Sequence, residues 1–141
     1  RMAYKKALTV AKSHPEKYVL AADTVVATGR TIIPKAETET DVRKSITRLG
    51  GRAHRVYGGI CLIMPDGRFL SRIVETRVFI RRLSEDEIES YIASLDWKGK
   101  AGGYAIQGIA AKYIKNIVGS YSNVVGLDLY TTSQLLRGSG L

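Results

Sequence analysis

The sequence has little of what marks secreted, zinc-binding or membrane-spanning proteins. Its 141 residues include a single cysteine, Cys61, so no disulfide framework can form and a reducing cytoplasm is the expected location. The two histidines, His14 and His54, lack cysteine or histidine neighbours at ligand spacing, which argues against structural zinc. No apolar run reaches the ~18 residues of a membrane-spanning helix, and no signal peptide is recognisable. We therefore expect no membrane partner.

Negative charge is also scarce. There are 13 acidic residues against 22 lysines and arginines, which gives a formal net charge of +9. Such a charge favours anionic partners, although solubility alone would also account for it. The basic residues are spread over every segment and the 8 tyrosines are scattered. A nucleic-acid partner is therefore disfavoured, because such modules interleave aromatic side chains with a basic stripe.

The remaining composition is that of one globular domain spanning residues 1–141. It is 45% hydrophobic and 25% charged, and the length suffices for a single core. Apolar spacing and capping residues predict helices over residues 1–13, 38–49, 84–95 and 130–136. The second of these helices is predicted to begin at Thr38 with Asp41 as its capping pair, with Thr40 as the competing cap, and the third at Ser84 with Glu87. Shorter apolar stretches predict strands over residues 18–22, 31–33, 56–64, 74–81 and 110–118. Residues 119–123 are predicted to be a polar loop.

These elements predict an α/β protein in which helices flank a mixed central sheet. Helices and strands alternate along most of the chain, as in α/β architectures. The segment Pro65-Asp66-Gly67 is typical of a tight turn, so the strands on either side of it should form a long antiparallel hairpin.

The most informative stretch is Tyr18 to Val26. Its first half is continuously apolar and too short for a helix, which predicts a strand buried on both faces. Asp23 follows, and a buried carboxylate costs several kcal/mol unless it is paired or binds a metal. Ligand sites of α/β sheets tend to lie at strand ends. The residues alone leave open whether Asp23 serves a ligand, caps a turn or pairs with a buried cation.

Three other polar residues stand at the edge of an element or in a loop: Lys6, Lys35 and Gln107. Two lysines and a carboxylate that converge in a cleft could hold a polyphosphate and its divalent cation. Each residue also has an ordinary alternative, since lone lysines are usually solvated and a glutamine often satisfies backbone groups. Gln107 lies in a glycine-rich run, residues 99–108, which has neither the P-loop nor the dinucleotide-binding pattern.

Five segments taken together resemble the Maf family, the septum-formation-inhibitor-like nucleoside triphosphate pyrophosphatases. In order they are Ala21-Ala-Asp-Thr-Val25, Leu49-Gly-Gly-Arg52 followed by His54-Arg-Val56, Val74-Glu-Thr76, Ala101-Gly-Gly-Tyr-Ala-Ile-Gln-Gly108 and Gly119-Ser-Tyr-Ser-Asn-Val-Val-Gly-Leu127. The resemblance implies a fold similar to that of the inosine triphosphate pyrophosphatases. It also implies hydrolysis of a nucleoside triphosphate to the monophosphate and pyrophosphate, dependent on a divalent cation, Mg²⁺ or Mn²⁺.

The resemblance assigns roles to particular residues. Asp23 matches the proton acceptor and metal-side carboxylate, and Lys6 and Lys35 match lysines that meet the phosphates. Thr24 and Gln107 match positions linked to substrate choice, in the form typical of the branch that acts on dTTP and UTP; modified pyrimidine nucleotides stay open as substrates. The alternative is a non-catalytic nucleotide- or nucleic-acid-binding regulator of septum formation. A homodimer also stays open.

Some features depart from the family pattern. The family opens with a strand and a Ser-x-Ser-Pro-Arg-Arg loop that helps to hold the phosphates, and the match to the family pattern begins after both. We therefore expect an N-terminally incomplete domain, and activity of this fragment is left open. Gly58 stands where many members have threonine, and Leu127-Asp128-Leu129 replaces the commoner Leu-Pro-Leu. Ile33-Pro34-Lys35 replaces Gly-Lys-Pro, which could displace Lys35 by one residue.

Overall fold

The computed structural model describes residues 2–141, in which helices surround one five-stranded sheet. The elements are α1 (Met2–Ser13), β1 (Val19–Thr28), β2 (Thr31–Ile33), α2 (Glu39–Leu49), β3 (Arg52–Ile63), β4 (Phe69–Ile80), α3 (Glu85–Ser94), a 3₁₀ segment (Ile109–Tyr113), β5 (Ile114–Val118), α4 (Tyr121–Val125) and α5 (Leu129–Gly138). The predicted α/β class, the flanking helices and the long β3–β4 hairpin are confirmed. Arg1, at the start of the first predicted helix, lies outside the described residues.

The strand order is β2-β1-β3-β4-β5, and each neighbouring pair is antiparallel. The predicted mixture of parallel and antiparallel strands is therefore wrong for the described sheet. Alternating helices and strands suggested crossovers of the kind that join parallel strands. Here α2 does connect two strands of the same direction, β2 and β3, but β1 lies between them and is antiparallel to both, so no neighbouring pair is parallel.

The strand β1 differs from its prediction in length and burial. It continues through Asp23 to Thr28, so Asp23 lies inside the strand rather than at its end. Tyr18 and Leu20 are each 40% exposed, so burial on both faces is wrong for the first half. The reason is that β2 pairs only with Val26–Thr28, which leaves the rest of β1, within the described residues, with β3 as its only neighbour. This unpaired stretch is called the open edge of β1 below.

Helices pack against both faces of the sheet. On one face, α2 and α3 cover a core that includes Val26, Val56 and Val78. On the other, the small residues Ala3 and Ala7 let α1 lie close to β1 and β3, where it buries Cys61 among other residues. Each fully buried aliphatic side chain contributes about 1.5–3 kcal/mol to folding. No helix within residues 2–141 has the length and apolar character needed to cross a bilayer.

The capping predictions hold, and the predictions for residues 110–123 are partly wrong. Thr38 with Asp41, and Ser84 with Glu87, form the reciprocal capping boxes that begin α2 and α3. The predicted strand 110–118 is a 3₁₀ segment up to Tyr113 and a strand only after it. The prediction failed because an apolar run alone does not distinguish a strand from a buried helical turn. The predicted loop 119–123 contains the start of α4, where the Ser120 side chain accepts from the backbone of residue 123.

Candidate active site

A cavity of about 360 Å³ lies beside the open edge of β1. All five site residues predicted from the sequence line it: Lys6, Asp23, Thr24, Lys35 and Gln107. They come from four separate segments, namely α1, β1, the chain after β2 and the glycine-rich loop. Convergence in one cavity is thus established, while the chemical role of each residue remains a prediction.

Lys6 and Asp23 form an ion pair in the wall of this cavity. The Lys6 Nζ lies 2.5 Å from Asp23 Oδ1, and the two side chains are 51% and 20% exposed. The pair forms because α1 packs across β1 and β3 through its buried alanines. Partly exposed ion pairs contribute no more than about 1 kcal/mol, so a ligand can rearrange this pair at small cost. The second carboxylate oxygen of Asp23 has no hydrogen-bond partner within residues 2–141.

The cavity can reach side chains on both faces of the sheet because it lies at a strand edge. Asp23 and Thr24 are consecutive in β1, so their side chains project to opposite faces, yet both line the cavity. On the Thr24 side, the paired residues Val26 and Val56 provide an apolar floor. The site therefore combines a charged side with an apolar side, as small-molecule sites commonly do.

Backbone contacts with the glycine-rich loop hold Lys35 in the cavity wall. Ala36 donates its N–H to the Lys100 carbonyl at 3.2 Å, and Gly99 donates to the Ala36 carbonyl at 2.8 Å. Lys35 itself forms an isolated antiparallel bridge with Ala101. The Lys35 side chain is exposed and has no ion-pair partner in the described part of the chain. Its place in the lining argues against the displacement that the local sequence suggested.

Asp96 closes the glycine-rich loop. Its Oδ1 accepts from Lys100 Nζ at 3.1 Å, and its Oδ2 accepts from the Ile109 N–H at 3.0 Å. A Cβ at Gly108 would lie 2.3 Å from Oδ2, so this tight approach requires glycine. The hydrogen bond from Lys100 lowers the pKa of Asp96, which keeps the carboxylate ionised. The closure fixes both ends of the loop beside Gln107, which is exposed.

A neutral pair of buried rings supports the wall behind the cavity. The Tyr104 hydroxyl, on a lining residue, lies 2.5 Å from His54 Nε2. His54 is 2% exposed, and burial lowers its pKa to about 4. Burial also raises the pKa of Tyr104. Both rings are therefore uncharged at neutral pH, and they add a hydrogen bond without adding charge.

Sequence reasoning did not single out Lys100, Asp96 or Tyr104. A signal for Lys100 was present, since it lies in a run whose glycines permit close approach to a ligand. Nothing in the sequence distinguishes Lys100 from Lys98, two residues earlier. In the structure, Lys98 is exposed and does not line the cavity. The difference comes from the Asp96 contact, which depends on how the loop closes.

The carboxylate content of the site suits a cation that arrives with a phosphate ligand. Among residues 2–141, no group of three or more histidine, cysteine or acidic side chains converges. Asp23 is the one acidic residue in the described cavity lining, and one of its oxygens lacks a partner. Mg²⁺ is commonly held by one or two carboxylates together with substrate phosphates and water. Asp23 fits that mode of binding.

Comparison with known proteins agrees with the resemblance noted in the sequence. Residues 1–139 match the family described as Maf-like protein. The chain is 60% identical over 140 residues to a protein of Paramagnetospirillum magneticum named dTTP/UTP pyrophosphatase, covering 99% of this chain and 74% of that protein. Proteins of the same name from Mesorhizobium japonicum (58% identity, 87% of this chain, 59% of that protein) and Caulobacter vibrioides (54%, 99% and 72%) are also similar. The chain belongs to the Maf family.

Proposed function

We propose that this Maf-family chain is a nucleoside triphosphate pyrophosphatase that hydrolyses dTTP and UTP to the monophosphate and pyrophosphate. The names of its relatives support this assignment, although the chain spans only 59–74% of their lengths. The observation that carries the proposal is the convergence of Lys6, Asp23, Lys35 and Gln107 on one cavity. A carboxylate and lysines suit the phosphates, and an amide suits a base.

The charged side of the cavity would bind the triphosphate. Lys35 has an ammonium group without an ion-pair partner among the described residues, and Lys6 can exchange Asp23 for a phosphate oxygen. Asp23 would then orient the attacking water and accept its proton as the anhydride bond between the α and β phosphates breaks. A divalent cation, Mg²⁺ or Mn²⁺, would bind at Asp23 and reduce the negative charge on the phosphates. The chain's own lysines supply the remaining positive charge.

The opposite side of the cavity would bind the pyrimidine. Val26 and Val56 offer an apolar surface for the ring, and the Thr24 hydroxyl and Gln107 amide offer donors and acceptors for its edge. Once a bound base covers these groups, leaving one of them without a partner would cost about 1–3 kcal/mol, and this cost would discriminate among bases. Thr24 and Gln107 are therefore proposed to contribute to substrate choice, with modified pyrimidine nucleotides as further candidate substrates.

We propose that the protein is located in the cytoplasm, a reducing environment that suits its single free thiol. Cys61 is fully buried beneath α1, and burial raises the pKa of its thiol. A buried, protonated thiol is poorly reactive and behaves as a small apolar side chain.

A panel of nucleoside triphosphates, incubated with Mg²⁺ or Mn²⁺ and assayed for pyrophosphate and orthophosphate, tests the proposed activity. We expect pyrophosphate from dTTP and UTP, with kcat/KM at least about tenfold above that for dCTP and the purine nucleotides. Release of orthophosphate instead would contradict the proposal. Nucleotide binding, or salt-sensitive DNA binding, without hydrolysis would support the alternative role as a non-catalytic regulator.

A further inference from the structure

Lys100 is anchored rather than solvated. Its ammonium group donates to the Asp96 carbonyl at 2.6 Å and to Asp96 Oδ1 at 3.1 Å. The side chain is 37% exposed and lines the cavity. An ammonium group has three N–H donors, and residues 2–141 provide no partner for the third. Lys100 thus presents one N–H from a fixed position.

The charge of Lys100 is balanced locally, unlike that of Lys35. Asp96 is held in place by the Ile109 N–H as well, so it stays beside the ammonium group when the cavity fills. A balanced ammonium group attracts a phosphate chain less than an unpaired one does, but it remains a hydrogen-bond donor. Its best partner is therefore a neutral acceptor, such as a carbonyl oxygen.

Lys100 is linked through Asp96 to the backbone that follows Gln107. The Asp96 carboxylate that binds Lys100 binds the backbone at Ile109 and packs against Gly108, the residue that follows Gln107. Lys6 and Asp23 lie on the α1 and β1 side. Lys35 starts from the loop side, because its backbone pairs with Ala101, so its exposed side chain would extend across the cavity to meet phosphates held at Lys6 and Asp23. A nucleotide bound in this way would place its base toward Lys100.

The pyrimidines differ at the atom that a fixed donor would read. Thymine and uracil carry a carbonyl oxygen at C4, whereas cytosine carries an amino group that donates. We propose that Lys100 donates a hydrogen bond to this 4-carbonyl oxygen and so favours thymine and uracil nucleotides over cytosine nucleotides. The inference rests on the proposed function and names the residue that selects the base. Asp96 acts as the positioning residue for Lys100.

The test compares Lys100→Met with Lys98→Met, which removes the same charge from an exposed position outside the cavity lining. We expect Lys100→Met to lower kcat/KM for dTTP and UTP by about 10- to 100-fold, the effect of losing a hydrogen bond from a charged group. The value for dCTP should change less than about twofold, because this contact is absent there. Lys98→Met should leave all three values near wild type. A uniform decrease for every nucleotide, or no decrease, would overturn the proposal.

Equilibrium binding keeps the test independent of catalysis. Calorimetry with dTMP and dCMP should show that wild type prefers dTMP and that Lys100→Met loses the preference by weakening dTMP binding alone. Asp96→Asn, which frees the lysine, should also reduce the preference while thermal unfolding still shows a folded protein. An unchanged preference in either variant would refute the assignment. If wild type binds dTMP selectively but releases no pyrophosphate, the proposed catalysis fails while the base contact stands.

Discussion

At the scale of single residues, a buried imidazole that stays uncharged supports the cavity wall. The pKa of His54 is about 4 in the folded chain, compared with about 6.5 in a solvated histidine. Below pH 6.5 the unfolded chain binds a proton at this residue and the folded chain does not. The stability that His54 contributes is therefore fully present above pH 6.5 and is lost as the pH falls toward 4.

We expect the uptake of a proton by His54 on unfolding to lower the free energy of unfolding by about 2–3 kcal/mol between pH 7 and pH 4.5. Urea unfolding of wild type and His54→Phe at the two pH values measures it. The variant should be less stable at pH 7, because Tyr104 loses its partner, but it should show a smaller decrease at pH 4.5. His14→Phe, at an exposed position, is the control. The same pH dependence in His54→Phe and wild type would contradict the account.

A site residue could be predicted from the sequence where its own chemistry singles it out. It could not be predicted where its role depends on a contact with another helix, strand or loop. The cost of burying a charge pointed to Asp23, but the Lys6 contact depends on how α1 docks. Gly58 shows the same limit. A Cβ there would lie 2.0 Å from the Asn123 side-chain oxygen, and the Asn123 amide donates to the Val56 carbonyl. This explains why threonine, common here in the family, does not fit this chain.

At the scale of elements, the glycine-rich loop combines left-handed backbone conformation with close packing. Gly99 and Gly102 both have positive φ, 74° and 69°. A Cβ at Gly99 would meet nothing within 4 Å, whereas one at Gly102 would lie 3.0 Å from Val26 in the cavity floor. Both positions therefore favour glycine because of their positive φ, but only at Gly102 would an added side chain also collide with a neighbour.

Alanine substitutions at these glycines should separate the two effects. Gly99→Ala should cost about 1 kcal/mol, because the left-handed conformation disfavours a side chain. Gly102→Ala should cost about 1–3 kcal/mol more and lower kcat/KM for dTTP, since Val26 must move. Urea unfolding and pyrophosphate release measure both. Equal destabilisation with unchanged activity in the two variants would show that the loop does not position the site through Val26.

The elements that could be predicted are those with local causes. Both capping boxes were recognisable because all their contacts lie within four residues of sequence. The direction of strand pairing and the open edge of β1 were not, because they depend on which strands become neighbours. Asp128 was noted in the sequence as a departure from the proline that is commoner in the family, but its role was not predicted. It begins α5 by accepting a hydrogen bond from the Thr131 N–H at 2.9 Å.

At the scale of the whole molecule, the cavity is a product of tertiary assembly. One helix face, an unpaired strand edge and a closed loop enclose a volume of about 360 Å³ that no single segment forms. Residue types alone indicated a phosphate site with alternatives open, and the family resemblance supplied the expectation that these residues converge. A net charge of +9 would also attract a triphosphate from a distance, an effect that salt weakens.

The central claim is that the Asp23 carboxylate acts in hydrolysis at this cavity. The most direct test is the rate of pyrophosphate release from dTTP by Asp23→Asn, with Asp66→Asn as the control because Asp66 lies in the exposed β3–β4 turn. We predict that Asp23→Asn remains folded and loses at least about 100-fold in kcat, since a positioned base contributes about 10²–10⁴. Asp66→Asn should keep the wild-type rate. Pyrophosphate release near the wild-type rate by folded Asp23→Asn would contradict the account.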